Sequence, residues 1–245
     1  MPKSLSARIF VALIIVSGFL LMGDAVLNVH SVATVRFVTL LVLATMAARL
    51  KVKLPGLTGT MSVNLPFLLL AVALLGTAEA MVVGFISTLA QCLPRERQKL
   101  NLVQLAFNCF SIVLTVAATR LIYVSPMVES RIASQALRLA LAAAVYFLVN
   151  TVTMALVISL TEQVSVVRVW KEMFQLSYAY LVASAGVAGL ALTLGSDIGW
   201  QVFVALLLVM FGVFYSYRRY FAVIVPAAKV MAATQAEAVT AGANV

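Results

Sequence analysis

The chain reads as apolar runs separated by short polar punctuation, and run length sets the first expectation. Stretches near 8–23, 34–50, 65–93, 101–123, 133–160, 174–195 and 199–218 are apolar and nearly free of charge. A helix needs about 20 such residues to cross roughly 30 Å of hydrocarbon. The pattern therefore predicts an all-α fold, a polytopic integral membrane helical bundle of about 7–8 segments over residues 1–223. Residues 224–245 read as an alanine-rich tail with too few large side chains to fold alone, and are expected to be disordered.

One run has the wrong length. LPFLLLAVALLGTAEAMVVGFISTLAQCL, residues 65–93, would extend about 43 Å as one helix and only about 21 Å per half as two. Charge decides between them. Arg49, Lys51 and Lys53 precede the run, and Arg95, Arg97 and Lys99 follow it. Basic clusters favour the cytoplasmic side, so both should lie on one face with an even number of crossings between them. The polar break at residues 76–79 (GTAE) is where a short helix pair would turn. On that topology both termini face the cytoplasm. Thirteen of the seventeen Lys and Arg residues fall inside, and Arg36, Arg120, Arg131 and Arg138 fall outside.

Composition sharpens this picture. Of 245 residues, 64% are hydrophobic and 10% charged, and the mean hydropathy is +1.10; a soluble domain carries about a quarter charged residues. The net charge of +9 is not a nucleic-acid signal, because the basic residues flank apolar runs. MPKSLSAR followed by IFVALIIVSGFLLM has the charge pattern of a signal peptide but no A-x-A site, and is expected to stay as a first span. His30 is the sole histidine, and Cys92 and Cys109 are the sole cysteines. Neither a metal site, a cofactor nor a disulfide is expected from them.

Two connections carry local signals. KVKLPGLTGTMSVN, residues 51–64, reads as an inner-side link. Pro55 and Gly56 suit the centre of a type II turn, residues 58–63 favour an extended path, and Asn64 suits a helix cap with Pro66 in the first turn. It reads either as a bland connector or as a structured interfacial element packed beneath the bundle. SVVRVWKEMFQLSY, residues 165–178, is expected to include a short helix along the inner surface. There Trp170 and Tyr178 would sit at headgroup depth, and Arg168 and Lys171 would meet anionic lipid.

Chemistry-bearing residues inside the runs are few. Gln104, Asn108, Ser111 and Thr115 form one polar stripe at helical spacing; Tyr146, Asn150 and Thr153 form another. Amides cannot stay unpaired in hydrocarbon without cost, so both stripes should face inward. There they either bond each other as structural glue or line a ligand cavity. Glu79 is either a solvated turn residue or a cavity acid that binds a cation or carries a proton. Arg120 and Arg138 either snorkel to headgroups or offer an anion-binding pair. No HExxH, GxSxG, P-loop or CxxC pattern occurs, and no enzymatic activity is expected.

The run LKVKLPGLTGTMSVNLPFLLLAVALLGTAEAMVVGFISTLAQCL, then LVQLAFNCFSIVLTVAA, then YFLVNTVTMALVISLTEQVSVVRVWKE, resembles a known bacterial module. It is the uncharacterised multi-pass membrane module found ahead of HD-type phosphohydrolase and GGDEF-type signalling domains. The similarity covers roughly residues 30–195. It implies signal transduction: a sensory or scaffold role at a bacterial inner membrane, non-catalytic and exercised through a partner, here without an output domain. It marks Asn64, Asn108, and Asn150 with Thr151, as recurring polar positions. The implied partners are the lipid bilayer and a cytoplasmic signalling protein. A second reading is a small-solute transport component, similar to the substrate-binding subunits of energy-coupling-factor importers, with an ATPase-bearing partner.

Overall fold

A computed structural model describes residues 4–29, 34–53, 60–93, 101–194, 205–216 and 219. Its elements run α1 (Leu5–Leu27), α2 (Thr34–Ala48), β1 (Lys51–Lys53), β2 (Thr60–Ser62), α3 (Leu65–Leu74), α4 (Thr77–Cys92), α5 (Leu102–Tyr123), α6 (Pro126–Arg131), α7 (Gln135–Glu162), α8 (Val166–Leu194) and α9 (Ala205–Ser216).

The helices begin where local chemistry says they should. The side chains of Ser4, Asn101 and Ser134 accept the backbone N–H groups of Ala7, Gln104 and Leu137, each supplying an acceptor to a first-turn donor. Pro126 opens α6, where a missing N–H costs nothing. α7 ends as Gln163 turns left-handed at φ 58°.

Four helices, α1, α5, α7 and α8, are long and apolar enough to cross a membrane. The outer surface agrees. On α2 the exposed stripe is Val35, Val38, Val42 and Met46, while Leu40, Leu43, Ala44 and Ala47 face inward. α1 exposes Leu5, Ile9, Leu13, Val16 and Leu20. Water would demand polar residues on such faces; lipid does not. We read the chain as an integral membrane protein.

The 65–93 run is divided as its charge pattern implies. α3 and α4 are separate helices, joined at Leu75 and Gly76. α3 is apolar on every side because it is enclosed on every side: Leu65, Phe67, Leu68, Leu69, Leu70, Ala71 and Val72 are at most 5% exposed. α2, α4, α5, α7 and α8 all pack against it. At ten residues it is about 15 Å long, half of a bilayer's apolar depth.

Two ends of the bundle can be told apart. At one, Ser4 Oγ donates to the Leu160 carbonyl (3.0 Å) and Asn108 Nδ2 to Cys92 Sγ (3.4 Å). Arg49 Nη1 also donates there, to the Ala90 carbonyl (2.8 Å). α1 and α5 run the same way, since Phe10 meets Phe107 and Phe19 meets Phe110. Arg8, Arg49, Lys51 and Lys53 therefore share this basic end. At the other lie the α3–α4 turn, the end of α5, α6 and the start of α7.

Two expectations change. The helical fold carries a small antiparallel ribbon, β1 paired with β2, with Lys51 opposite Ser62 and Lys53 opposite Thr60; its second strand, Thr60–Ser62, falls within the stretch expected to be extended. Pro55 and Gly56 lie outside the described residues. The separate surface helix over 165–178 is replaced by one continuous α8. That stretch contains neither glycine nor proline. Its aromatic residues Trp170, Phe174 and Tyr178 recur every four positions and stack down one face onto Phe147 of α7.

Candidate functional site

A short helix inside an apolar bundle has a particular difficulty. Its first N–H groups and last C=O groups need partners, and lipid supplies none. In the α3–α4 pair all four ends receive a side chain. The Leu65 N–H, first in α3, donates to Tyr180 Oη on α8 at 3.0 Å. Pro66 removes the second donor, and the N–H groups of Phe67 and Leu68 turn back to the Asn64 carbonyl. Arg120 Nη1 on α5 donates to the Val72 carbonyl in the last turn of α3. Glu79 Oε2 accepts the Gly76 N–H at 2.7 Å at the start of α4. Arg49 closes the far end of α4 through Ala90. Cations at helix C-termini and a carboxylate at an N-terminus also suit the helix dipoles.

The start of α3 is the polar centre of the molecule. Ser62 Oγ, at the end of β2, lies 2.8 Å from Asn64 Oδ1 and 3.0 Å from Gln91 Oε1. Asn64 Nδ2 donates to Ser87 Oγ at 3.4 Å, and Ser87 Oγ donates to the Gly84 carbonyl at 3.1 Å. Ser62, Asn64 and Ser87 are buried. One hydroxyl proton serves one acceptor, so the Ser62 hydroxyl is shared between two amide oxygens or Gln91 offers its NH2 instead. The cluster carries donors and acceptors but no ionised side chain. It can recognise an uncharged polar group, and it anchors the ribbon to α4.

The positions singled out from sequence divide sharply. Asn64 belongs to this cluster, but not as the expected cap: its side chain makes no capping bond to α3, because Ser62 and Ser87 take it. Asn108 turns to Cys92, and among the described residues Asn150 has no side-chain hydrogen-bond partner, so the two amides do not pair across α5 and α7. Gln104 is exposed, and its backbone N–H is engaged by Asn101. Ser111 is 1% exposed, and its Oγ has no partner among the described residues. Thr151 is buried, donates to the Phe147 carbonyl and accepts from Trp170 Nε1 at 3.2 Å. Glu79 is not a solvated turn residue: it is 6% exposed and engaged by Gly76.

Sequence reading missed Ser62, Ser87, Gln91, Tyr180 and Arg49. Ser87 and Gln91 are four apart, one face of a helix, which was the available signal. Tyr180 gave none, since a tyrosine in an apolar run looks like core. Among the described residues, no group of three His, Cys, Asp or Glu side chains stands ready to hold a metal, and Cys92 and Cys109 are free thiols. Compared with known proteins, the chain matches no family model, no curated protein and no solved structure.

Proposed function

We propose that this chain is a non-catalytic sensory module of a bacterial cytoplasmic membrane, acting through a separate partner protein. Both termini and the β1–β2 ribbon face the cytoplasm, and the short helices α2, α3, α4 and α9 complete a bundle of about 7–8 membrane segments around the four long ones. The observation that carries this reading is the covalent path from Lys51 through the ribbon to Ser62 and Asn64, which ties the basic end to the bundle's polar centre. Any rearrangement at Asn64, Ser87 or Gln91 moves β2, and with it the surface a partner would touch.

The test is affinity purification of the intact protein from its native membrane, with mass spectrometry of what accompanies it. Recovery of a signalling enzyme, lost on Asn64→Leu while the protein stays folded, is the expected result. Recovery of an ATPase-bearing complex, with saturable solute uptake in vesicles, would replace this reading with that of a transport component. The broken α3–α4 pair favours that second reading, since transporters place binding sites at interrupted helices.

A further inference from the structure

We propose that Arg138, backed by Arg120, is a receptor for a phosphate-type oxyanion at the end of the bundle opposite the ribbon, with the Glu129 carboxylate as its resident stand-in. The site lies beyond the Asn64 cluster and does not depend on the sensory reading.

The arginine at its centre is positioned but not satisfied. Its guanidinium carbon stands 5.7 Å from the centre of the Tyr123 ring, and its Nη1 lies 2.6 Å from Glu129 Oε1. Its Nε is sealed from solvent and has no acceptor among the described residues. Arg120, which shares the neighbourhood of Tyr123, repeats the pattern: Nη1 is committed to Val72 and Nε has no acceptor among the described residues. Glu79, the acid in electrostatic reach of Arg120, is engaged by the Gly76 N–H. Two guanidinium groups offer ten N–H donors, and the local acceptors leave both Nε atoms unserved.

Glu129 is a weak occupant. Its side chain is 63% exposed against 11% for Arg138, and it rides on α6, six residues long with none buried. An ion pair so exposed holds loosely. An oxyanion with three acceptor oxygens matches the arginine fork better than one carboxylate oxygen. The rim is apolar and exposed: Leu121, Val124, Met127 and Leu137. Such a rim suits the acyl chains beneath a lipid headgroup.

The experiment titrates the purified full chain in detergent with phosphatidylglycerol and with phosphatidylcholine, reading bound lipid by native mass spectrometry. Thermal stability with inorganic phosphate is measured in parallel. The expected result is several-fold greater retention of the anionic lipid, lost in Arg138→Gln and increased several-fold in Glu129→Gln. A lipid preference without a phosphate effect assigns the site to a headgroup; phosphate stabilisation without lipid preference assigns it to a free oxyanion. Absence of both effects overturns the proposal. So does a Glu129→Gln protein that is less stable and unchanged in lipid retention, because the pair would then be structural. The gain expected in Glu129→Gln keeps the result readable even if Arg138→Gln fails to fold.

Discussion

The backbone N–H of Leu65 and the phenol oxygen of Tyr180 are hydrogen-bonded at 3.0 Å, across 115 positions of sequence. This single contact joins the first residue of a buried half-length helix to the middle of α8. Removing the hydroxyl leaves a buried amide without a partner, which costs about 1–3 kcal/mol. Tyr180→Phe should therefore lower the unfolding temperature in detergent, while Tyr178→Phe, at a position 50% exposed, should leave it unchanged. Equal effects would show that the phenol is not a cap.

The amides should rank by what they hold. Asn64→Leu breaks a buried network with Ser62 and Ser87 and should cost about 1–3 kcal/mol. Asn108→Leu loses one contact to sulfur and should cost near 0.6 kcal/mol, the average for such interhelical bonds. Asn150→Leu should cost least. Denaturant titration of the three variants in one detergent checks the order.

Arg120 is expected to act through its guanidinium and not through charge alone. Arg120→Met leaves the Val72 carbonyl unpaired near the α3–α4 turn, a loss of about 1.5–3 kcal/mol for a charge-assisted bond. Arg120→Lys should recover only part of it, because an ammonium on a flexible stem lacks the planar fork. Thermal unfolding of the pair of variants separates the two.

Two glycines on α1 give a packing contrast. A Cβ on Gly18 would meet Phe110 Cβ at 2.7 Å and the Phe110 carbonyl oxygen at 2.8 Å, whereas one on Gly23 would meet nothing within 4 Å. Gly18→Ala should force α1 away from α5 at a cost of about 1–3 kcal/mol. Gly23→Ala should gain up to about 1 kcal/mol of helix propensity. Identical thermal shifts would mean that α1 does not rest on α5 as described.

Orientation is open to direct measurement. Reporter fusions after residues 53 and 97 should report the same, cytoplasmic side. Opposite sides would remove the paired-helix topology and the assignment of the ribbon to the cytoplasm.

The parts of this fold that follow from covalently local rules were legible. Apolar run length located the long helices, and the basic residues flanking 65–93 implied its division before any geometry was known. The extended path before Asn64 followed from its hydroxyl and β-branched residues. What stayed hidden depends on partners distant in sequence. Nothing near Asn64 reveals that Ser87 and Ser62 will claim its amide, and nothing near Leu65 points to Tyr180. The stripe over Gln104, Asn108 and Ser111 was visible as a period, but the side of α5 that faces protein is set by Gly18 and Gly84, where α1 and α4 approach. The long α8 was hidden by its composition: basic and aromatic residues read as interfacial, yet nothing breaks the helix between them and the apolar half.

Enclosure of α3 on every side has a consequence for biosynthesis. Emerging from the ribosome, it meets the membrane before α5 and α8 exist, so Arg120 and Tyr180 cannot yet close its ends. The chain must hold this greasy segment in a provisional place until some 115 further residues have been made, and only then seat it. The centre of the molecule is thus among the last parts to mature, and a nascent chain arrested before Tyr180 would carry α3 with an open first turn.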